Sequence, residues 1–204
     1  MLFGKILVIF SKSSFITYHN PLTKFNKGVI MGLQQTNERE SVKMLLTYEE
    51  MRERAFEFYD DLQINIPKKY ADLAVRSLTM PQYAKEYNDS NNNPIGDHRA
   101  LATVGDAICG AFVMLDRYTD EKTKKELTAE KKVVTNEHLN LVGEKILKDW
   151  LFAKNNDLES KSEKKNKKAY ATAFEAVIGF IALLDKDQNT KNADRILKEQ
   201  LSNV

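Results

Sequence analysis

The stretch that most constrains this chain is Ala169–Leu184, AYATAFEAVIGFIALL. Every residue in it except Glu175 is apolar, small or hydroxyl-bearing. It is too long for a buried strand, and Gly179 is the one helix breaker in it, so it predicts a helix. Being apolar on nearly every face, that helix is expected at the centre of the fold. A lone carboxylate inside such a helix is costly unless a cation, a proton or hydrogen bonds compensate it. Leu101–Leu115 (LATVGDAICGAFVML) repeats the arrangement, with Asp106 as its single charge. Two core-type helices, each carrying one acid among small residues, predict a shared cation.

The remainder of the chain reads as helical too. Glycine (8) and proline (4) are sparse for 204 residues, which argues against a turn-rich β fold. Thr47 followed by Glu50 forms a capping-box pattern ahead of a stripe of Met51, Ala55, Phe58 and Leu62. Pro67 marks the next start, and Lys68–Tyr87 carries Tyr70, Leu73, Ala74 and Leu78 on one face until Pro81 interrupts it. Asn88–His98 is a loop by composition. Glu121–Val134 predicts a turn followed by an exposed helical face, and Asn136–Phe152 a helix with Leu139, Val142, Ile146 and Trp150 at helical spacing. Asn155–Lys168 is a polar, lysine-rich loop, and Asn189–Leu201 a short amphipathic finish. The expectation is an all-α fold of about six helices in one domain, residues 46–204.

Residues 1–45 read as a poorly structured extension, low in periodicity and rich in Lys, Ser, Thr and Asn. Leu2–Phe10 is interrupted by Lys5 and falls far short of the ~20 apolar residues that span a bilayer. Its short apolar core and lack of a small-residue cleavage site make it a poor signal peptide. A presequence and a mis-assigned start, with Met31 or Met44 opening the working protein, account for it equally well. Residues 1–30 hold four lysines and no acid, so the rest of the chain is slightly acidic although the whole carries +2. Any nucleic-acid contact must therefore use local patches. The single cysteine, Cys109, excludes a disulfide framework and a cysteine-based zinc site within one chain. It fits a reducing compartment, cytoplasmic by expectation or organellar if residues 1–30 act as a presequence. Within an apolar helix it reads as a small core residue.

The chemistry is carried by Asp106 and Glu175. P-loop, dinucleotide and zinc-protease patterns are all missing. His19, His98 and His138 lie in unrelated polar contexts; His98, near the start of the Asp106 helix, reads as a surface or capping residue. Two buried acids could be satisfied by backbone or hydroxyl donors, but their pairing in two small-residue helices favours a divalent metal. Carboxylate oxygens suit Mg²⁺ or Mn²⁺, and without a nucleophile or a histidine base such a site suits hydrolysis of a phosphodiester by water.

HRALATVGDAICGAF and YATAFEAVIGFIALL resemble the two signature helices of the ribonuclease III domain, most closely those of its single-domain Mini-III branch, where A-L-A-x-x-G-D-A and T-x-F-E-A-x-x-G recur. LAVRSLTMPQYAKEY is similar to the family's first conserved helix, and ELTAEKKVVTNEHL to the segment before its middle helix. The resemblance spans about Pro67–Leu184. It implies a homodimeric helical endonuclease that cuts double-stranded or structured RNA, such as ribosomal precursors, with Mg²⁺ or Mn²⁺ at Asp106 and Glu175. Two further family acids correspond to Ala102 and Thr172, each one helical turn from the acid retained. The Mini-III branch shows the same Ala and Thr pattern and is similar to active enzymes. The alternative is a catalytically inactive RNA-binding or ribosome-associated scaffold; a purely structural dimerisation module is a weaker rival. Lys131, Lys132, Lys161, Lys164, Lys165, Lys167 and Lys168 are the candidates for phosphate contact. The twenty residues after Leu184 are too few for an appended double-stranded-RNA-binding domain, so a protein partner could help select the substrate.

Overall fold

The computed structural model describes residues 45–130, 135–153 and 168–201. The expectations for the extension up to residue 44, and for Lys131, Lys132, Lys161, Lys164, Lys165 and Lys167, lie outside the described residues. Residues 43–204 form one unit.

Helix α1 (Tyr48–Asp61) starts where its capping box places it: Glu50 N–H donates to Thr47 Oγ1, and Thr47 N–H donates back to the Glu50 carboxylate at 2.7 Å. Met51, Ala55, Phe58 and Tyr59 bury its inner face. Leu62, expected in the apolar stripe, instead closes the helix, and Gln63 follows in the left-handed region. A 3₁₀ turn (Lys68–Tyr70) leads into α2 (Ala71–Ser77). Pro81 occupies the first turn of α3 (Pro81–Ser90), where its missing N–H costs nothing.

Between α2 and α3 the chain is tied to a distant segment. Phe152 N–H donates to Leu78 C=O, and Met80 N–H to Phe152 C=O, at 2.9 and 3.0 Å. This isolated parallel bridge, Thr79 with Phe152, explains why α6 (Asn136–Leu147) stops short of the expected Phe152. Five residues of that predicted helix unwind to deliver Phe152 to the bridge, where its side chain is buried.

Helix α4 (Arg99–Arg117), the short α5 (Lys124–Glu130) and α6 precede the central helix α7 (Ala169–Gln188). Helix α7 buries Ala171, Ala173, Phe174 and the run from Ala176 to Ile181, as its all-round apolar sequence requires. It packs against α2, α4, α6 and α8 (Asn192–Leu201). Its C-terminal end turns on Asn189 in the left-handed conformation, and the buried Asp185 carboxylate accepts from Ala193 N–H at 2.7 Å and Asn192 Nδ2 at 3.0 Å. The fold is all-α, and no helix among the described residues is long and apolar enough to cross a membrane.

Candidate metal centre at the α4–α7 seam

Small residues decide how α4 and α7 meet. A Cβ on Gly105 would stand 1.7 Å from the Glu175 carbonyl oxygen, and one on Gly179 would stand 2.1 Å from that of Leu101. The contacts Gly105–Glu175 and Leu101–Gly179 are each one helical turn apart and run in opposite order, so the two helices cross antiparallel, backbone against backbone. Asp106 follows Gly105 directly. The seam therefore brings the backbone one residue before Asp106 against the backbone of Glu175.

The two acids differ in environment. Glu175 is half-buried, whereas Asp106 is exposed on the outer face of α4. This corrects the expectation of two buried acids. Helix α4 buries Leu101, Ala102, Gly105, Cys109, Gly110 and Val113 but turns Asp106, Ala107 and Ala111 outward, with Leu115 80 % exposed. Ile108, Phe112 and Met114 are half-buried at its edges. Its apolar sequence thus includes a face that the other described residues leave exposed.

Burial raises the Glu175 carboxyl to about 7, the negative charge of Asp106 adds to the rise, and Lys168 opposes it. The same two acids, after burial, push the Cys109 thiol up to about 12. Cys109 is thus a protonated, buried core residue, as its context predicts. Neither Asp106 nor Glu175 has a hydrogen-bond or ion-pair partner among the described residues. Among the described residues no group of three or more His, Cys, Asp or Glu side chains could hold a metal. Two carboxylates alone leave Mg²⁺ as the kind of ion to test, since it can bind through one or two carboxylates and keep much of its water.

The two positions where the resemblance implies further acids are now defined. Ala102 is buried at 5 % exposure against the core, and Thr172 is half-buried on the Glu175 helix. Back-bonding of the Thr172 hydroxyl to its own helix is not observed among the described residues. Lys168 lies exposed at the start of α7, close enough to lower the Glu175 carboxyl.

His98 departs from expectation. It is 2 % exposed, makes no side-chain capping bond, and burial lowers it to about 4, so it is neutral. Its backbone explains the placement: His98 N–H donates to Thr79 C=O at 3.0 Å, which pins the start of α4 beside the Phe152 bridge. A residue that sequence reasoning missed is Asn140 on α6, whose Oδ1 accepts from the amides of Tyr170 and Ala171 at 3.1 and 3.4 Å. No sequence signal marks it, because the acceptor lies thirty residues before the helix it caps.

No curated protein matches this chain by sequence. Among solved structures it is similar to the nuclease domain of ribonuclease III from Campylobacter jejuni, described for structural flexibility in the region involved in dimer formation. The match has a TM-score of 0.54 at 15 % identity and covers 72 % of this chain and 97 % of that one, which establishes the fold. Residues 99–186, from the start of α4 almost to the end of α7 and including both acids, match the family model of the ribonuclease III domain.

Proposed function

We propose that this protein is a divalent-metal-dependent endoribonuclease that hydrolyses double-stranded or structured RNA, with Asp106 and Glu175 holding Mg²⁺ or Mn²⁺. The observation that carries the reading is the electrostatic coupling of the two acids across a glycine seam, inside the matched segment. A carboxyl raised by burial and by a second carboxylate is relieved when a divalent cation replaces the proton. Such an ion supplies Lewis acidity, lowering the pKa of water and offsetting charge on the phosphate.

The chain's own residues supply position. Asp106 is exposed and so open to a bound duplex, while half-buried Glu175 is anchored by the backbone contact with Gly105. Lys168, exposed at the start of α7, and the lysines at 131, 132, 161, 164, 165 and 167 are proposed to meet RNA phosphates. With Ala102 and Thr172 in place of acids, more of the coordination of a bound ion would be left to water.

The face of α4 left exposed by the described residues, with Ala107, Ala111 and Leu115, supports a homodimer, and the Campylobacter domain that this chain is similar to has a region involved in dimer formation. Each subunit would then offer one site, one for each RNA strand. Ribosomal or other precursor RNA in the cytoplasm, selected with a protein partner, is the proposed setting.

Cleavage of a defined duplex RNA with and without Mg²⁺ tests the reading. Metal-dependent cutting, lost in Glu175→Gln and in Asp106→Asn, is expected; full cutting by either variant overturns the assignment. The buried Ala102 favours a second reading, a non-catalytic RNA-binding scaffold. That reading requires duplex binding at low salt with no cleavage under any divalent ion.

A further inference from the structure

We infer that Asn140 is a positioning residue for the Glu175 centre, acting as a cap supplied by another helix to the start of α7. The inference rests on the metal-site reading above and extends it to a residue on α6. The first turn of a helix leaves its amides without internal partners, and a side-chain oxygen commonly satisfies them from the preceding residue. That residue is Lys168, which makes no side-chain capping bond. The acceptor comes instead from α6, with Asn140 Oδ1 receiving both Tyr170 N–H and Ala171 N–H.

The contact is close on its other side as well. One turn further along α6, a Cβ on Gly143 would stand 2.3 Å from the Tyr170 carbonyl oxygen. Asn140 and Gly143 together form a seat for the first turn of α7, one by accepting its amides and the other by making room for its carbonyl. The carbonyl of Ala171 in turn accepts the amide of Glu175 in the helical ladder, so Asn140 lies one helical hydrogen bond from the acid. Gly105 meets the Glu175 carbonyl from α4. The backbone of Glu175 is thus held from two helices, and the Asn140 oxygen is the polar half of that hold. It also sets where Lys168, whose carbonyl accepts Thr172 N–H at 2.9 Å, leaves the helix beside the acid.

The test compares Asn140→Leu, which keeps the size and removes the acceptor, with Asn140→Asp, which keeps an acceptor oxygen in the same place. Mn²⁺ affinity of the metal-free protein is measured by electron paramagnetic resonance titration, alongside thermal melting and single-turnover cleavage of duplex RNA. The leucine variant is expected to bind Mn²⁺ at least fivefold more weakly. Its cleavage rate should fall tenfold or more, with little change in the RNA concentration for half-saturation, and the aspartate variant should recover both to within about threefold. If Asn140→Leu fails to fold, Asn140→Ser, whose oxygen ends one bond short of the two amides, takes its place. A folded variant without the acceptor that binds Mn²⁺ like wild type overturns the inference, as does an aspartate variant impaired as badly as leucine. Wild-type protein that neither binds Mn²⁺ nor cuts RNA would instead overturn the metal-site reading, and the role of Asn140 with it.

Discussion

Gly105 presses on the carbonyl of Glu175 so closely that no other residue fits: the first side-chain carbon would lie 1.7 Å from the oxygen, with the carbonyl carbon at 2.5 Å. Both atoms are backbone in a buried helix, so no rotamer change relieves the clash. Gly105→Ala must push α4 off α7. The expected loss is about 3 kcal/mol or more, the upper range for overpacking, a fall in melting temperature on the order of 10 °C. Gly179→Ala, against the Leu101 carbonyl at 2.1 Å, should behave alike. Melting within a degree or two of wild type for both variants would refute the backbone contact.

Glu175 makes the stability of metal-free protein depend on pH. The unfolded chain releases this proton near its ordinary value of 4.5, whereas the folded chain holds it to about 7. Between those values the folded state binds more protons, so stability is fully present below the lower value and is lost as pH rises through the upper one. Because Glu175 is half-exposed, the expected loss is about 1–2 kcal/mol after discounting for solvent screening. Glu175→Gln, which cannot ionise, should melt higher than wild type at pH 8 in chelator, by a margin that closes at pH 4. Its duplex cleavage should nonetheless vanish. An equal margin at both pH values would contradict the raised carboxyl.

Asp106→Asn separates the two causes of that elevation. Burial is the larger and the Asp106 charge the smaller. Titration of the Glu175 side-chain carboxyl by NMR should therefore move toward the ordinary range by less than half of its rise. A full return to ordinary carboxylate behaviour would mean that charge dominates, and no movement would mean that the acids do not sense each other. Cleavage by this variant is expected to drop about 100-fold or more.

Much of this arrangement is legible in the chain. The all-round apolar run of α7 announces a central helix, the glycines beside Asp106 and after Glu175 allow close approach, and the Thr47–Glu50 box marks the start of α1. What escaped reading is tertiary in origin. An apolar residue on α4 looks the same whether its face meets the core or is left uncovered, so the exposure of Asp106 and Leu115 was hidden. His98 sits among polar neighbours yet is buried, because its amide pairs with Thr79. Helix α6 ends early because Phe152 is captured by Thr79, seventy-three residues away in sequence. Asn140 caps a helix to which it is not adjacent, and no local pattern signals that.

Lys168 offers a prediction with two readouts of opposite origin. Its positive charge lowers the Glu175 carboxyl, so Lys168→Gln should raise that carboxyl further and shift the onset of metal binding to higher pH. Under the proposed function the substitution would also remove one phosphate contact. The logarithmic dependence of duplex-RNA affinity on salt should become shallower by about one, with affinity reduced alike across RNA sequences. Both effects follow from one exposed ammonium group placed beside the acid at the start of α7. A variant that alters the salt slope but leaves the Glu175 titration in place would put the lysine at the RNA and away from the acid. One that shifts the titration but leaves the slope would assign it to the acid alone.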